Sequence, residues 1–442
     1  MKSIIKRVFT SPGFIAVVAF GVRTVMLFHY RLGGLNPVRI NLPFGYELGA
    51  VAASIASGHG FSSPLRWFPT GPTAWFGPIY PYLTAGIFKL CGIYSYKSFL
   101  VLESINAGFS ALTCIPIFFL GKRSFGLTAG TCSAWAWVFL PTAIVFPLIW
   151  IWDTALSALC MAVILWATLA LRDAPRVRNW AGYGALWAFC ALVNPSLIAV
   201  LPFLGAWLVL ELWRAHQPWL RGVAACGLLF VLGLVPWTIR NEAVFHKLIP
   251  LRSNFGLEFW LGNNPGTVDN DNGYQHPNDN LDEARLYRSM GEIAYMAEKQ
   301  HEAVEFIRSH PADAARLTFH RVVSTWLGGW DPLQDTWHAD RWYQRVGRVF
   351  EISFSVLALL GALLAVRSRN PEATPYALVI LSYPAVFYIT HGSGRYRHPI
   401  DPVLTLLAVF AVAYPFRLLL GSTATQPKSN ESAPVPMESV TP

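Results

Sequence analysis

The stretch Ile79–Gly92, IYPYLTAGIFKLCG, decides how this chain is threaded. It is apolar enough to be counted as a membrane span, and counting it so inverts every segment that follows. At 1.5 Å per residue it makes a helix of about 20 Å, short of a hydrocarbon core of roughly 30 Å. Counting it as a span also puts Lys122, Arg123, Arg172, Arg176 and Arg178 outside, against the bias of Lys and Arg toward cytoplasmic loops. A helix lying at the membrane interface satisfies both length and charge.

The membrane itself follows from composition. The chain has 442 residues, 54% hydrophobic and 13% charged, against about 25% charged in a typical soluble domain. Its net charge of +9 comes from short Lys/Arg clusters between apolar runs. These act as topology signals and not as one basic face for nucleic acid. The six cysteines fall in or beside apolar segments without CxxC spacing, so neither a disulfide framework nor a thiolate metal site is expected.

Placing about 20 apolar residues per span gives about ten: Pro12–Tyr30, Phe99–Leu120, Leu127–Phe146, Thr154–Leu171, Trp180–Val193, Ser196–Trp213, Gly222–Ile239, Val349–Val366, Thr374–Thr390 and Val403–Leu420. The first contains Arg23 and lacks a small-x-small cleavage site, so it reads as an uncleaved span. Asn194-Pro195 separates two short spans, because proline removes a donor and disfavours helix in the residue before it. The expected fold is an all-α polytopic bundle in four parts. Residues 1–239 form an N-terminal module with the first outer loop at 31–97, and 240–348 an outer, mainly helical domain. Residues 349–420 are the last spans, and 421–442 a disordered cytoplasmic tail.

Just upstream of the deciding stretch, Gly45–Phe61 reads GYELGAVAASIASGHGF. As a helix it aligns Leu48, Val51, Ala52 and Ile55 on one apolar face and leaves Glu47 on the other. Gly58 suits a left-handed helix end. Glu47 is the sole acid between Met1 and Glu103, and it either serves chemistry or complements the helix dipole. Asp153 follows Trp150-Ile151-Trp152 at the lip of a span, where an acid is a functional candidate and also a good N-cap. At the last outer turn, HGSGRYRHPIDP (His391–Pro402) places Arg395 and Arg397 on the disfavoured side. Guanidinium groups there match phosphate oxygens or lipid headgroups, and Arg240-Asn241 is a further candidate pair. The outer domain opens with a Gly/Asn/Asp-rich loop, Gly262–Asn280, in which Asp269, Asp271 and Gly273 fit a calcium loop poorly. A helix Leu281–His310 with Pro311 as its stop and a second from about Ala312 follow. Trp326, Trp330, Trp337 and Trp342 are expected as interface anchors. His59, His246 and His391 lack metal-ligand spacing.

As an ensemble these features resemble the GT-C glycosyltransferases, nearest the bacterial protein O-mannosyltransferase and lipid A aminoarabinose transferase group. They are a lone acid in the first outer loop, a surface helix ending in Gly58-His-Gly-Phe61, Pro78-Ile-Tyr-Pro-Tyr82, an acid in the second outer loop, and the terminal RYRHPIDP. The resemblance implies a polyprenyl-phosphate sugar donor and a lipid, glycan or protein acceptor. It implies Glu47 and Asp153 as catalytic carboxylates, and Arg395, Arg397 and Arg240 around the donor phosphate. Tyr46, His59, Tyr80, Tyr396 and Asn241 are expected to contact substrate. No organic cofactor is implied, and a divalent metal between Glu47 and Asp153 stays open. The expected location is a bacterial inner membrane, with the site facing the periplasm and both termini cytoplasmic. A transporter or flippase for a polyprenyl-linked or other amphipathic solute is the competing reading, and a non-catalytic membrane scaffold is a further one.

Overall fold

The structure is a computed structural model in which residues 7–32, 44–267, 273–328 and 341–421 are described. The expectations for Asp269, Asp271, Trp330, Trp337 and the tail from 422 lie outside these residues. Among them no β-strand forms, and one isolated bridge pairs Ser62 with Pro72.

After α1 (Pro12–Leu32) come two short helices, α2 (Tyr46–Ala56) and α3 (Ile79–Cys91). A kinked rod follows, made of α4 (Tyr96–Leu112) and α5 (Cys114–Phe125). The kink lies where Pro116 cannot donate to the carbonyl one turn back. Next are α6 (Leu127–Phe139), α7 (Pro141–Ile149), α8 (Thr154–Asp173), α9 (Val177–Val193), α10 (Leu201–Arg214) and α11 (Leu220–Phe245). The segment expected as an outer domain, called so below, holds α12 (Phe255–Gly262), α13 (Leu281–Met290), α14 (Glu292–Ser309) and α15 (Pro311–Trp326). The chain then returns through α16 (Trp342–Arg367), α17 (Ala373–Ser382), α18 (Ala385–Ile389), the single turn α19 (Gly394–Arg397) and α20 (Asp401–Gly421).

Among the described residues, seven helices are long and apolar enough to cross a membrane, or eight if α6 and α7, bent by 43°, count as one span. The other two of the expected ten spans fall on α9 and on α17–α18, which are shorter. Spans pack through small residues, as helices in lipid do. A Cβ on Gly184 of α9 would lie 2.1 Å from Cys226 O of α11, and one on Gly361 of α16 would lie 2.0 Å from Leu407 O of α20.

The ends of three segments downstream of Ile79–Gly92 meet on one side of the bundle. Glu372, just before α17, accepts hydrogen bonds from Arg123 at the end of α5 (2.5 Å) and Arg172 at the end of α8 (3.2 Å). The opposite end of α8 begins beside Asp153, where α2 also lies. With 13 residues, α3 is not among the helices long and apolar enough to cross.

Two sequence expectations need amendment here. The expected helix Leu281–His310 is broken at Gly291, whose φ of +78° is a left-handed conformation that glycine adopts freely. Asn280 caps α13 by accepting from the Asp282 and Glu283 amides. Glu47, placed on the polar face of α2, is in fact buried, with 8% exposure, because the outer domain covers that face.

Arg23 is fully buried within α1. Its guanidinium donates to Ser110 Oγ (2.9 Å) and to the carbonyls of Ala19 (3.0 Å), Trp137 (3.1 Å), Val138 (3.4 Å) and Ala143 (3.0 Å). The break at Leu140-Pro141 leaves the Trp137 carbonyl without its helical donor, since proline has none. Arg23 supplies the missing hydrogens. Arg23→Met should therefore strand several carbonyls and cost on the order of 3 kcal/mol, read as a lower Tm of the detergent-solubilised protein. An unchanged Tm would refute this role.

Candidate functional site

At the Asp153 end of the bundle the structure encloses a cavity of about 300 Å³, near the lower end of the range for ligand sites. Its wall is built from six places in the chain. These are the start of α2, the segment before α3, the α7–α8 loop, the Asn194-Pro195 break, the outer domain, and the segment from Tyr383 to Pro399.

Close glycine contacts bring the first two acids to one wall. Gly45, with φ +67°, lies so near the α7–α8 loop that a Cβ would sit 2.6 Å from Ile151 O and 2.8 Å from the Trp152 ring. Gly77 similarly abuts Leu192 O, at 2.2 Å for a Cβ. Glu47 and Asp153 both line the cavity. Asn278 Nδ2 donates to Glu47 Oε1 at 2.7 Å, and His276 Nε2 lies 3.5 Å from the same oxygen. The outer-domain segment carrying these residues is pinned by the first loop: Trp67 Nε1 donates to Pro277 O at 2.9 Å, and the Arg66 amide donates to Asn278 Oδ1 at 3.0 Å.

Asp153 precedes α8 but makes no side-chain capping bond. Protein surrounding the carboxyl pushes its pKa up to about 7, against the opposing pull of Arg252 and Arg395. The Arg395 guanidinium lies over Trp152 at 4.6 Å and Trp150 at 5.3 Å, a stacked position that suits its planar charge. Tyr46 packs its ring 5.6 Å from Trp150, and Tyr396 stacks 4.8 Å from Phe387. Both line the cavity.

The other expected site residues lie elsewhere, and their places are corrected accordingly. Arg397 is buried beside Glu351, Asp401 (3.3 Å), Ser355 (3.0 Å) and the Thr325 carbonyl (3.2 Å), where its charge ties α19 and α20 to α15 and α16. Arg240 donates to the carbonyls of Thr73 (2.7 Å) and Phe61 (2.8 Å) under the Phe61 and Trp237 rings, fastening the first loop to α11. Asn241 accepts from Arg240 and donates to Ile249 O. Tyr80 is buried with its hydroxyl on Asn106 Oδ1 at 2.7 Å. His59 is exposed beyond α2. None of the five lines the cavity.

The outer domain and the Tyr383–Tyr396 segment bring further residues, of which the sequence had singled out only His391, as a histidine without metal-ligand spacing. Glu258 Oε2 and His391 Nε2 lie 2.5 Å apart, and Asn254 Nδ2 donates to Glu258 Oε1 at 2.6 Å. Burial would raise the Glu258 carboxyl, but His391, Arg252 and His276 outweigh it and hold the pKa at about 2. Arg252 and Tyr383 complete this side. The geometry is held by Arg321, which donates to Gly262 O (2.6 Å) and Thr390 O (2.8 Å) and so joins the end of α12 to the residue before His391. The available signal was Arg252 standing alone between Lys247 and Arg285, in an apolar stretch right after a span. No group of three His, Cys, Asp or Glu side chains arranged to hold a metal occurs among the described residues.

The chain thus folds as an all-helical membrane bundle with a capped cavity at one end. No protein-family profile and no curated sequence matches the chain. Among solved structures it is similar to the oligosaccharyltransferase of Archaeoglobus fulgidus tethered with an acceptor peptide containing the NVT sequon. The TM-score is 0.53 at 14% identity, over 92% of this chain and 50% of that one. The apo form of the same enzyme gives 0.50 at 12% identity, over 93% and 52%. ArnT from Cupriavidus metallidurans bound to undecaprenyl phosphate gives 0.41 at 14% identity, over 94% and 81%. The chain thus spans about half the length of the archaeal enzyme, and at these identities the likeness is one of fold.

Proposed function

We propose that the chain is a glycosyltransferase of the bacterial inner membrane. It moves a sugar from a polyprenyl-phosphate donor, with inversion, to a lipid, glycan or protein acceptor at the periplasmic side. The observation that carries this reading is the meeting of Glu47, Asp153 and Arg395 on one cavity, from three segments far apart in sequence. Inverting displacement needs a base at the acceptor and charge stabilisation at the leaving phosphate. Glu47, oriented by Asn278, takes the proton of the acceptor nucleophile as the new bond to the anomeric carbon forms. Asp153 positions or helps activate the acceptor. The old bond to phosphate breaks, and Arg395 takes up the charge left on the polyprenyl phosphate. A divalent ion bound through Glu47 and Asp153 would add Lewis-acid stabilisation of that charge.

The test is sugar transfer by the purified protein in nanodiscs, with a panel of polyprenyl-phosphate sugars and extracted membrane acceptors, with and without EDTA. Transfer supports the enzyme, and the EDTA arm decides the metal. Donor binding followed by movement across the bilayer without turnover would favour the transporter.

A pH dependence follows. Below about pH 7 Asp153 is mainly neutral, and above it mainly anionic. If the anion acts on the acceptor, kcat/KM rises with pH through about 7, because this ratio reports groups of the free enzyme. Asp153→Asn should remove that limb of the profile. Persistence of the limb in the variant would assign it to another group.

A further inference from the structure

The cavity contains two guanidinium groups on different parts of the fold, and only one is used by the reading above. Arg252 enters from the outer domain and Arg395 from the turn before α20, and both act electrostatically on Asp153. Among the described residues neither has a carboxylate within 4 Å, whereas the arginines off the cavity at positions 123, 172 and 397 all do. Arg252 Nη2 donates a long bond to Ser196 Oγ at 3.4 Å. Tyr383, on the same cavity, is 1% exposed, and its hydroxyl has no hydrogen-bond partner. Arg252 and Asp153 both act on that hydroxyl electrostatically. Leaving a buried hydroxyl unsatisfied costs about 1–3 kcal/mol, which a bound ligand would relieve. Asn254 Oδ1, also buried and without a partner, lies two residues from Arg252 and could accept from a hydroxyl of the same ligand.

We infer that Arg252, Tyr383 and Ser196 form a second anion subsite, apart from Arg395, so that the ligand of this cavity carries an acidic group besides the donor's lipid-linked phosphate. The inference rests on the transferase reading for the identity of the first anion. The second is a carboxylate or phosphate borne by the transferred sugar, by a diphosphate linkage or by the acceptor. Guanidinium and phenol donors serve each of these equally.

The test is equilibrium binding to the full chain in nanodiscs, which is independent of turnover. The probes are a short-chain polyprenyl phosphate bearing a neutral hexose, the same lipid bearing a hexuronic acid, a polyprenyl diphosphate bearing the neutral hexose, and glucose 1-phosphate for an acceptor-borne phosphate. Arg252→Gln should weaken at least one of the three acidic probes by roughly tenfold more than it weakens the neutral-head monophosphate. Tyr383→Phe, which keeps the ring in place, should weaken the same probe selectively by about threefold. Which probe responds names the source of the acid. Equal weakening of all four by both variants, or no effect of either, overturns the subsite. The transferase reading fails separately, if binding is intact and no sugar moves.

Discussion

Glu47→Gln is expected to lower sugar transfer by about 10²- to 10⁴-fold in a protein that remains folded. The substitution is isosteric and keeps an acceptor at Oε1 for Asn278 Nδ2, the bond that orients the side chain. It loses the ability to take a proton. Single-turnover transfer should therefore collapse while the Tm in detergent stays near that of the parent. Both halves of the result matter, because Glu47 is buried under the outer domain and a merely structural carboxylate would show itself in the Tm. Full activity in Glu47→Gln would remove the base from the scheme and leave its role to Asp153.

The second large effect is expected at Arg395. Hydrogen bonds to a charged group are worth about 1.5–3 kcal/mol, so Arg395→Gln should weaken the donor's transition-state contacts by roughly 10- to 150-fold. The loss should fall on kcat as well as on KM, because the phosphate gains charge as the glycosidic bond breaks. Arg395→Lys should not restore the parent rate, since a lysine cannot spread a planar charge over Trp150 and Trp152. If Arg395 instead held a lipid headgroup, kcat would be unmoved and the change would appear as altered stability with lipid composition.

The sequence made the bundle readable because spans are announced by long apolar runs, and the charge bias then fixes their order. The runs proved helical, and Ile79–Gly92 formed a helix of 13 residues, below the length that spans a bilayer core. The Gly58 helix end was equally legible, since only local conformation was at stake. The bridging cations of the site were harder to read. Arg395, Arg397 and Arg240 all look like anion ligands in one dimension, yet only Arg395 reaches the cavity. The other two neutralise Glu351 and Asp401 or fasten backbone carbonyls, partners set by packing that no local pattern displays. Arg252 and Glu258 went unseen, and His391 went unplaced, for the same reason, because α12 meets the segment after α18 through contacts between residues far apart in sequence, Glu258 to His391 and Arg321 to Gly262 and Thr390.

Arg23 also bears on the order of events during biosynthesis. The arginine enters the bilayer with the first span, yet Trp137, Val138 and Ala143 are not yet synthesised. At about 5–20 residues per second the wait is roughly 6 to 24 seconds. Throughout it a lone charge sits in the first helix at an insertion penalty of about 2.5–3.5 kcal/mol. The first span is therefore a provisional tenant of the membrane, anchored by its apolar remainder until the bent α6–α7 span docks. A ribosome-bound chain stopped before residue 137 should be markedly easier to extract from the bilayer than one that has emerged past residue 150.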